Sequence, residues 1–108
     1  DLDILRDLPA FKCSKLIDLR YAKTVNLPNL ERSGWGINAL SATTVDLPKL
    51  QSCDGSIYAD SATTLNLPKL ESCSGGINAP SATTVYLPKL VSCYRYIYVG
   101  SDTKNRED

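Results

Sequence analysis

The chain has 108 residues, with 12 basic and 12 acidic side chains and no histidine. Because the net charge is zero, no overall electrostatic attraction draws the chain to nucleic acid or to a membrane surface, so we expect neither partner. The lack of histidine removes Ser–His and Cys–His activation of nucleophiles and the commonest metal ligand. No run of 18 apolar residues occurs, so we expect no membrane span and a single small domain over residues 1–108.

The first twenty residues match the rest of the chain only weakly. One residue is missing between Phe11 and Cys13, and Arg6 stands where later copies have valine or leucine. Because terminal repeats must shield a stack with polar groups, we predict that residues 1–20 form a degenerate capping turn. A role for Arg6 in partner binding is the alternative. The chain opens at Asp1 without methionine or a signal-like apolar run, which we interpret as a processed chain or an excised segment.

From residue 21 to residue 100 the chain repeats a twenty-residue unit four times without insertion or deletion. A fixed period of this length is typical of a solenoid in which each copy is one turn. Apolar residues at i, i+2 predict two short strands in each turn, the first at about Ile57–Ala59 and the second at about Thr64–Leu67. The sequence therefore predicts an all-β fold, a short right-handed parallel β-solenoid of about five turns with two strands per turn. The predicted core ladders contain Leu47, Leu50, Ile57, Leu67, Leu70 and Ile77.

Proline and glycine mark the predicted corners of each turn. Pro48 and its equivalents should end the second strand, because proline cannot donate to the ladder. Gly55, Gly75 and Gly76 occupy the corner after the cysteine column, where we expect a positive φ.

The repeat also resembles a known family. The run Leu65-x-Leu67-Pro68-x-Leu70-x-Ser72-x-x-Gly75-x-Ile77-x-Ala79 is similar to the repeat of receptor L-domain-like, leucine-rich solenoid proteins. The resemblance covers about residues 5–100, and similar repeats occur in bacterial surface and phage-associated proteins. It implies a general recognition surface. Because Leu70 replaces the asparagine of the leucine-rich-repeat ladder, we expect a compact β-solenoid and not a horseshoe with helices.

All four cysteines fall in one column, which contains Cys13, Ser33, Cys53, Cys73 and Cys93. A spacing of twenty residues does not match the C-x-x-C pairs of zinc sites. We therefore expect a ladder of buried free thiols, no metal and no other cofactor. A reducing compartment, the cytoplasm, would follow, with a surface or secreted segment as the alternative.

Threonine and lysine form further columns. Regular threonine arrays on a flat β-solenoid are typical of ice-binding proteins, but neighbouring threonines cannot both face outward on one strand. We expect a corner whose hydroxyls bond to the backbone. The lysines should form a solvated edge, with a stripe for an acidic partner as the alternative. The residues of these columns are Thr24, Thr44, Thr64 and Thr84, then Thr43, Thr63 and Thr83, and finally Lys49, Lys69 and Lys89.

Binding is expected where the repeat varies. The varying positions hold aromatic residues and arginine, the types enriched in interface hot spots. An alternative is that the C-terminal tyrosines only cover the last turn. Residues 101–108 are polar, and we expect them to form a frayed C-terminal tail. The predicted partner-binding residues are Trp35, Asn38, Tyr58, Asn78, Tyr86, Tyr94, Arg95, Tyr96 and Tyr98.

We therefore expect a non-catalytic protein-binding repeat module and no enzyme. A sharper hypothesis is a small bacterial or phage inhibitor that occupies a partner's surface. The alternatives are an assembly segment of a larger surface protein, joined as a homo-oligomer through its terminal turns, an ice-binding protein, or a carbohydrate-acting solenoid. The last would use carboxylates such as Asp46, Asp54 and Asp60, which show no convincing acid/base pairing in the sequence.

Overall fold

A computed structural model of the chain describes residues 16–93 and 96–99, together with the backbone of two further strands at 11–13 and 104–106. The described residues form fifteen short strands in three parallel sheets of five strands each. We name each sheet by the residue type that recurs in it. The cysteine sheet contains β1 (Phe11–Cys13), β4 (Leu30–Ser33), β7 (Ser52–Cys53), β10 (Ser72–Cys73) and β13 (Ser92–Cys93). The isoleucine sheet contains β2 (Ile17–Asp18), β5 (Ile37–Asn38), β8 (Ile57–Tyr58), β11 (Ile77–Ala79) and β14 (Ile97–Val99). The threonine sheet contains β3 (Thr24–Asn26), β6 (Thr44–Asp46), β9 (Thr64–Asn66), β12 (Thr84–Tyr86) and β15 (Lys104–Arg106).

Equivalent strands of successive repeats pair in parallel, which confirms the β-solenoid. Ile57 pairs with Ile37 on one side and with Ile77 on the other. The amide of Ala59 donates to the carbonyl of Asn78 at 2.8 Å. Each repeat contributes three strands. Two are those that the sequence indicates, and the third is formed by the serine–cysteine pair that follows the proline turn. That strand has only two residues in most turns, too short for an alternating pattern to reveal it.

The interior of the solenoid is a set of apolar ladders. The six predicted core residues, from Leu47 to Ile77, are all fully buried, which confirms the column assignment. Burial weakens at the C-terminal end, where Leu87 and Leu90 are half-buried and Ile97 is 45% exposed. Ile97 lies in the last strand of the isoleucine sheet and therefore has a stacking neighbour on one side only.

Two of the three corners are tight turns closed by the backbone. The amide of Leu70 donates to the carbonyl of Leu67 at 3.4 Å, around a turn in which Pro68 supplies the fixed φ of the second position. The amide of Ala62 donates to the carbonyl of Ala59 at 3.1 Å and closes the corner between the isoleucine and threonine sheets. These hydrogen bonds satisfy backbone groups that leave the ladders at the corners.

The third corner, between the cysteine and isoleucine sheets, contains the glycines. The expectation of a positive φ there is wrong, since no glycine among the described residues has one. The glycines are required by close approach instead. A Cβ at Gly55 would collide with the backbone of Trp35, and one at Gly75 would lie 2.8 Å from the carbonyl carbon of Gly55. Successive turns therefore pack backbone against backbone at this corner.

The two ends of the chain depart from the central repeats. Cys13 pairs with Ser33, and the register shifts between Phe11 and Lys12, which confirms the one-residue deletion in the first turn. Arg6, with the rest of residues 1–10, lies outside the described residues. The expectation of a frayed tail is wrong for Lys104–Arg106. This strand pairs with Thr84–Tyr86, whose outer edge has backbone groups available for hydrogen bonding. In the part of the chain that the structure describes, no helix could cross a membrane.

Candidate partner-binding face

The outward residues of the isoleucine sheet form a continuous column. Asp18, Asn38, Tyr58, Asn78 and Tyr98 stand in register on successive strands, and we call this column the isoleucine-sheet face. Their neighbours on the inward side are isoleucines, buried in all strands but the last. Tyr58 is 38% exposed and Tyr98 is 58% exposed, whereas the two asparagines are half-buried between them. Four predicted binding residues therefore share one surface.

Polar contacts order this face. The Nδ2 of Asn78 donates to Oδ1 of Asp60 at 2.7 Å, so the Asp60 carboxylate holds the asparagine between the tyrosines. The Oδ1 of Asn38 is buried and, among the described residues, has no hydrogen-bond partner. At the N-terminal end, Nη2 of Arg20 lies 2.6 Å from Oδ2 of Asp18. The side-chain hydrogen bond from Arg20 lowers the pKa of Asp18, which keeps the pair charged and mutually neutralised.

Apolar side chains extend the face on both sides of the column. Tyr96 is 46% exposed, and its ring packs over Gly76, where an added Cβ would lie 2.6 Å from a ring carbon. Leu16 occupies the equivalent position in the first turn and is also exposed, as is Leu40 on the other side of the column. Leu16 and Leu40 were not predicted. Their positions, two residues before and after the outward column, are the sequence signal that could have identified them.

The remaining predicted residues lie elsewhere. Trp35 is 65% exposed at the corner between the cysteine and isoleucine sheets. Tyr86 belongs to β12 of the threonine sheet, where it lines a shallow groove of about 290 Å³ with Thr64 and Asn66. Tyr94 and Arg95 lie outside the described residues. The nine predicted residues thus do not form one site, and Tyr86 is separated from the others because it lies on a different sheet.

Polar side chains in the threonine sheet and at the corner just before it connect successive turns. The Oγ1 of Thr63 donates to the carbonyl of Thr43 at 3.2 Å, and Thr83 makes the same bond to Thr63. The predicted hydroxyl–backbone bonds are thereby confirmed. Asn66 donates through Nδ2 to Oδ1 of Asp46 at 2.6 Å, as Asn78 does to Asp60. Two of the three candidate carboxylates therefore accept a hydrogen bond from an asparagine.

The cysteine column closes the glycine corner. The thiol of Cys73 donates to the carbonyl of Gly55 in the preceding turn at 3.1 Å, whereas the hydroxyl of Ser33 donates to the carbonyl of Gly36, three residues later in its own turn, at 3.5 Å. Cys53 and Cys73 are buried free thiols, as predicted, but Cys93 is only half-buried because it belongs to the last turn. The side chain of Cys13 lies outside the described residues.

The thiols of Cys53 and Cys73 affect each other's ionisation. The neighbouring thiol of Cys73 lowers the pKa of Cys53. The neighbouring thiol of Cys53, together with burial, raises the pKa of Cys73. The pair thus releases its first proton more readily than its second. Within the described residues, no group of three or more histidine, cysteine or acidic side chains is arranged to hold a metal ion.

Comparison with protein-family models, with curated proteins and with solved structures produced no match.

Proposed function

We propose that the chain is a non-catalytic protein-binding module that engages a protein partner through the isoleucine-sheet face. One observation supports this proposal above the others. On the same strands, the inward position is always isoleucine, whereas the outward position is aspartate in the first strand and then alternates between asparagine and a partly exposed tyrosine. Stacking accounts for the inward column. Stacking does not require large aromatic side chains to be exposed to water. Exposed aromatic side chains are the type that anchors protein interfaces.

The size and charge of the face suit a protein partner. A standard interface takes about 800 Å² from each partner. The chain exposes 6094 Å² in total, so one side of a three-sided solenoid is sufficient. The carboxylate of Asp18 is paired with Arg20, and that of Asp60 accepts a hydrogen bond from Asn78. The column therefore offers aromatic and amide groups and little free charge. We therefore infer a partner surface that is mixed apolar and hydrogen-bonding, with binding that depends weakly on salt.

Two finer statements belong to the same proposal. We infer from the leucine-rich columns that the repeat is of the receptor L-domain-like type. We also infer that the module acts as an inhibitor of bacterial or phage origin that occupies its partner's surface, an inference supported by its small size and rigid scaffold. Assembly through the open terminal strands is the second candidate function, because Ile97 leaves the end of the core exposed.

The test compares three forms of the protein as baits in a native lysate. The double variant Tyr58→Ala/Tyr98→Ala removes both rings of the face, and Tyr86→Ala removes a tyrosine of the threonine sheet as the matched control. We expect the double variant to lose its captured partner, since hot-spot truncations cost about 1–4 kcal/mol each. Tyr86→Ala should capture it normally. Loss with Tyr86→Ala alone would move the site to the threonine sheet, and capture by all three forms would contradict the proposal. Circular dichroism confirms that each variant is folded.

A further inference from the structure

The threonine sheet presents two parallel columns of outward side chains. In each of its strands the middle residue, such as Val45 or Leu65, is buried, and the residues on either side of it face outward. Neighbours within a column are about 4.8 Å apart, and the two columns are separated by two residues of strand, about 6.6 Å. The first column contains Thr24, Thr44, Thr64 and Thr84, and the second contains Asn26, Asp46, Asn66 and Tyr86.

Adjacent threonines in each repeat differ in what their hydroxyls bond to. Thr63 and Thr83, which precede their strands, donate their hydroxyls to the backbone of the preceding turn. Within the described residues, the hydroxyls of Thr44, Thr64 and Thr84 make no such bond. The first set of threonines therefore holds the turns together, and the second set offers hydroxyls that can each donate and accept a hydrogen bond.

The outward residues line a groove with a defined polar pair. The groove has a volume of about 290 Å³, at the small end of the range for ligand pockets. Nδ2 of Asn66 donates to Oδ1 of Asp46 at 2.6 Å, which holds both side chains in place. Among the described residues, this contact leaves Oδ2 of Asp46 as an acceptor and the second N–H of Asn66 as a donor. Tyr86 lines the groove one turn further along the second column.

These groups favour a neutral ligand rich in hydroxyls. The carboxylate of Asp46 disfavours an anion, and the described residues provide no group of three metal-binding side chains. An ice-binding face needs a uniform array, whereas the second column changes residue at every turn from Asn26 to Tyr86. A sugar ring presents neighbouring hydroxyls that both donate and accept, and C–H groups that pack against the electron-rich face of an aromatic ring.

We propose that the threonine-sheet groove is a saccharide-binding site. Asp46 accepts a hydrogen bond from one hydroxyl of the sugar, Asn66 donates to the neighbouring hydroxyl, and Tyr86 packs against the C–H face of the ring. Thr64 bonds to a further hydroxyl from the first column. The site is separate from the isoleucine-sheet face, because its residues belong to a different sheet.

The experiment titrates three simple saccharides into the isotope-labelled protein and follows it by heteronuclear NMR. The probes are the methyl glycosides of glucose, mannose and galactose, and glycerol is the control for a polyol without a ring. We expect at least one glycoside to shift the side-chain amide of Asn66 saturably, with a dissociation constant on the order of 1 mM for so small a polar ligand. The side-chain amide of Asn78 is an internal control, since it makes the same type of contact to Asp60 on another sheet.

Substitutions identify the groups that bind. Asp46→Asn should weaken binding about tenfold or more, because it removes a charged acceptor, and Tyr86→Ala should weaken it about tenfold. Thr64→Val should weaken it about threefold to tenfold, the effect of one neutral hydrogen bond. Thr63→Val is the matched control. It removes the hydroxyl of the preceding residue, which already bonds to the carbonyl of Thr43, and should bind the glycoside as the wild type does.

Several results would overturn the proposal. The first is no saturable shift with any of the three glycosides, and the second is shifts of equal size with glycerol or at Asn78. Wild-type affinity in Asp46→Asn or Tyr86→Ala would also refute it. If either of these variants does not fold, the threonine pair decides, because equal affinities for Thr64→Val and Thr63→Val would contradict the assigned contacts. Capture of a protein partner by the isoleucine-sheet face affects none of these outcomes.

Discussion

Truncation of one core leucine tests whether the columns carry the stability of the solenoid. Leu67 is fully buried in the column that contains Leu47 on one side and Leu87 on the other. Leu67→Ala removes three carbons, worth about 2.4 kcal/mol at roughly 0.8 kcal/mol per buried methylene. The cavity that remains between two stacked turns raises the expected loss to about 3–4 kcal/mol, within the range of about 2–5 kcal/mol for such changes. The backbone bond from Leu67 to Tyr86, at 3.0 Å, does not depend on the side chain.

Domains of this size have unfolding free energies of roughly 5–15 kcal/mol, so the change removes a large fraction of the total. Differential scanning calorimetry should show a melting temperature lower by roughly 12–24 °C for a loss of about 3 kcal/mol. Leu87→Ala is the matched control. It makes the same chemical change in the same column, but Leu87 is half-buried in the last turn, so we expect about half the loss. An unchanged melting temperature for Leu67→Ala, or a larger loss for Leu87→Ala, would refute the stacking argument.

Two further predictions concern the glycine corner and the thiols. Gly75→Ala should lower the urea midpoint more than Gly76→Ala, because the first Cβ meets backbone of the adjacent turn whereas the second meets the ring of Tyr96, a side chain that can move. Equal midpoints would show that close backbone packing does not constrain this corner. With a thiol-specific reagent in native buffer, Cys93 should react well before Cys73, because Cys93 is half-buried while Cys73 is 1% exposed and has a raised pKa. Mass spectrometry of the labelled peptides gives the order of reaction, and equal rates would contradict the assigned burial.

The sequence by itself determined the period, the class of fold and the inward columns. A twenty-residue repeat without insertions brings identical residues into register, and the i, i+2 apolar pairs specify which side chains face inward. For that reason the burial of Leu47, Ile57 and Leu67 and the outward direction of Tyr58 could be derived from spacing alone. The one-residue deletion before Cys13 was also visible, because only that gap brings Cys13 into register with Ser33.

The tertiary structure decided how many sides the solenoid has and which residues share a side. The third strand of each turn was hidden in a two-residue serine–cysteine step, and it becomes a strand only through hydrogen bonds to neighbouring turns. The role of Gly75 was likewise not local, since what excludes a side chain there is the backbone of another turn and not its own φ. Tyr58 and Tyr86 were grouped by residue type in the sequence but lie on different sheets, because surface neighbours depend on the corners between strands. Contacts between turns, which join residues about twenty positions apart, therefore decided which side chains share the candidate face, whereas the repeat pattern decided the scaffold.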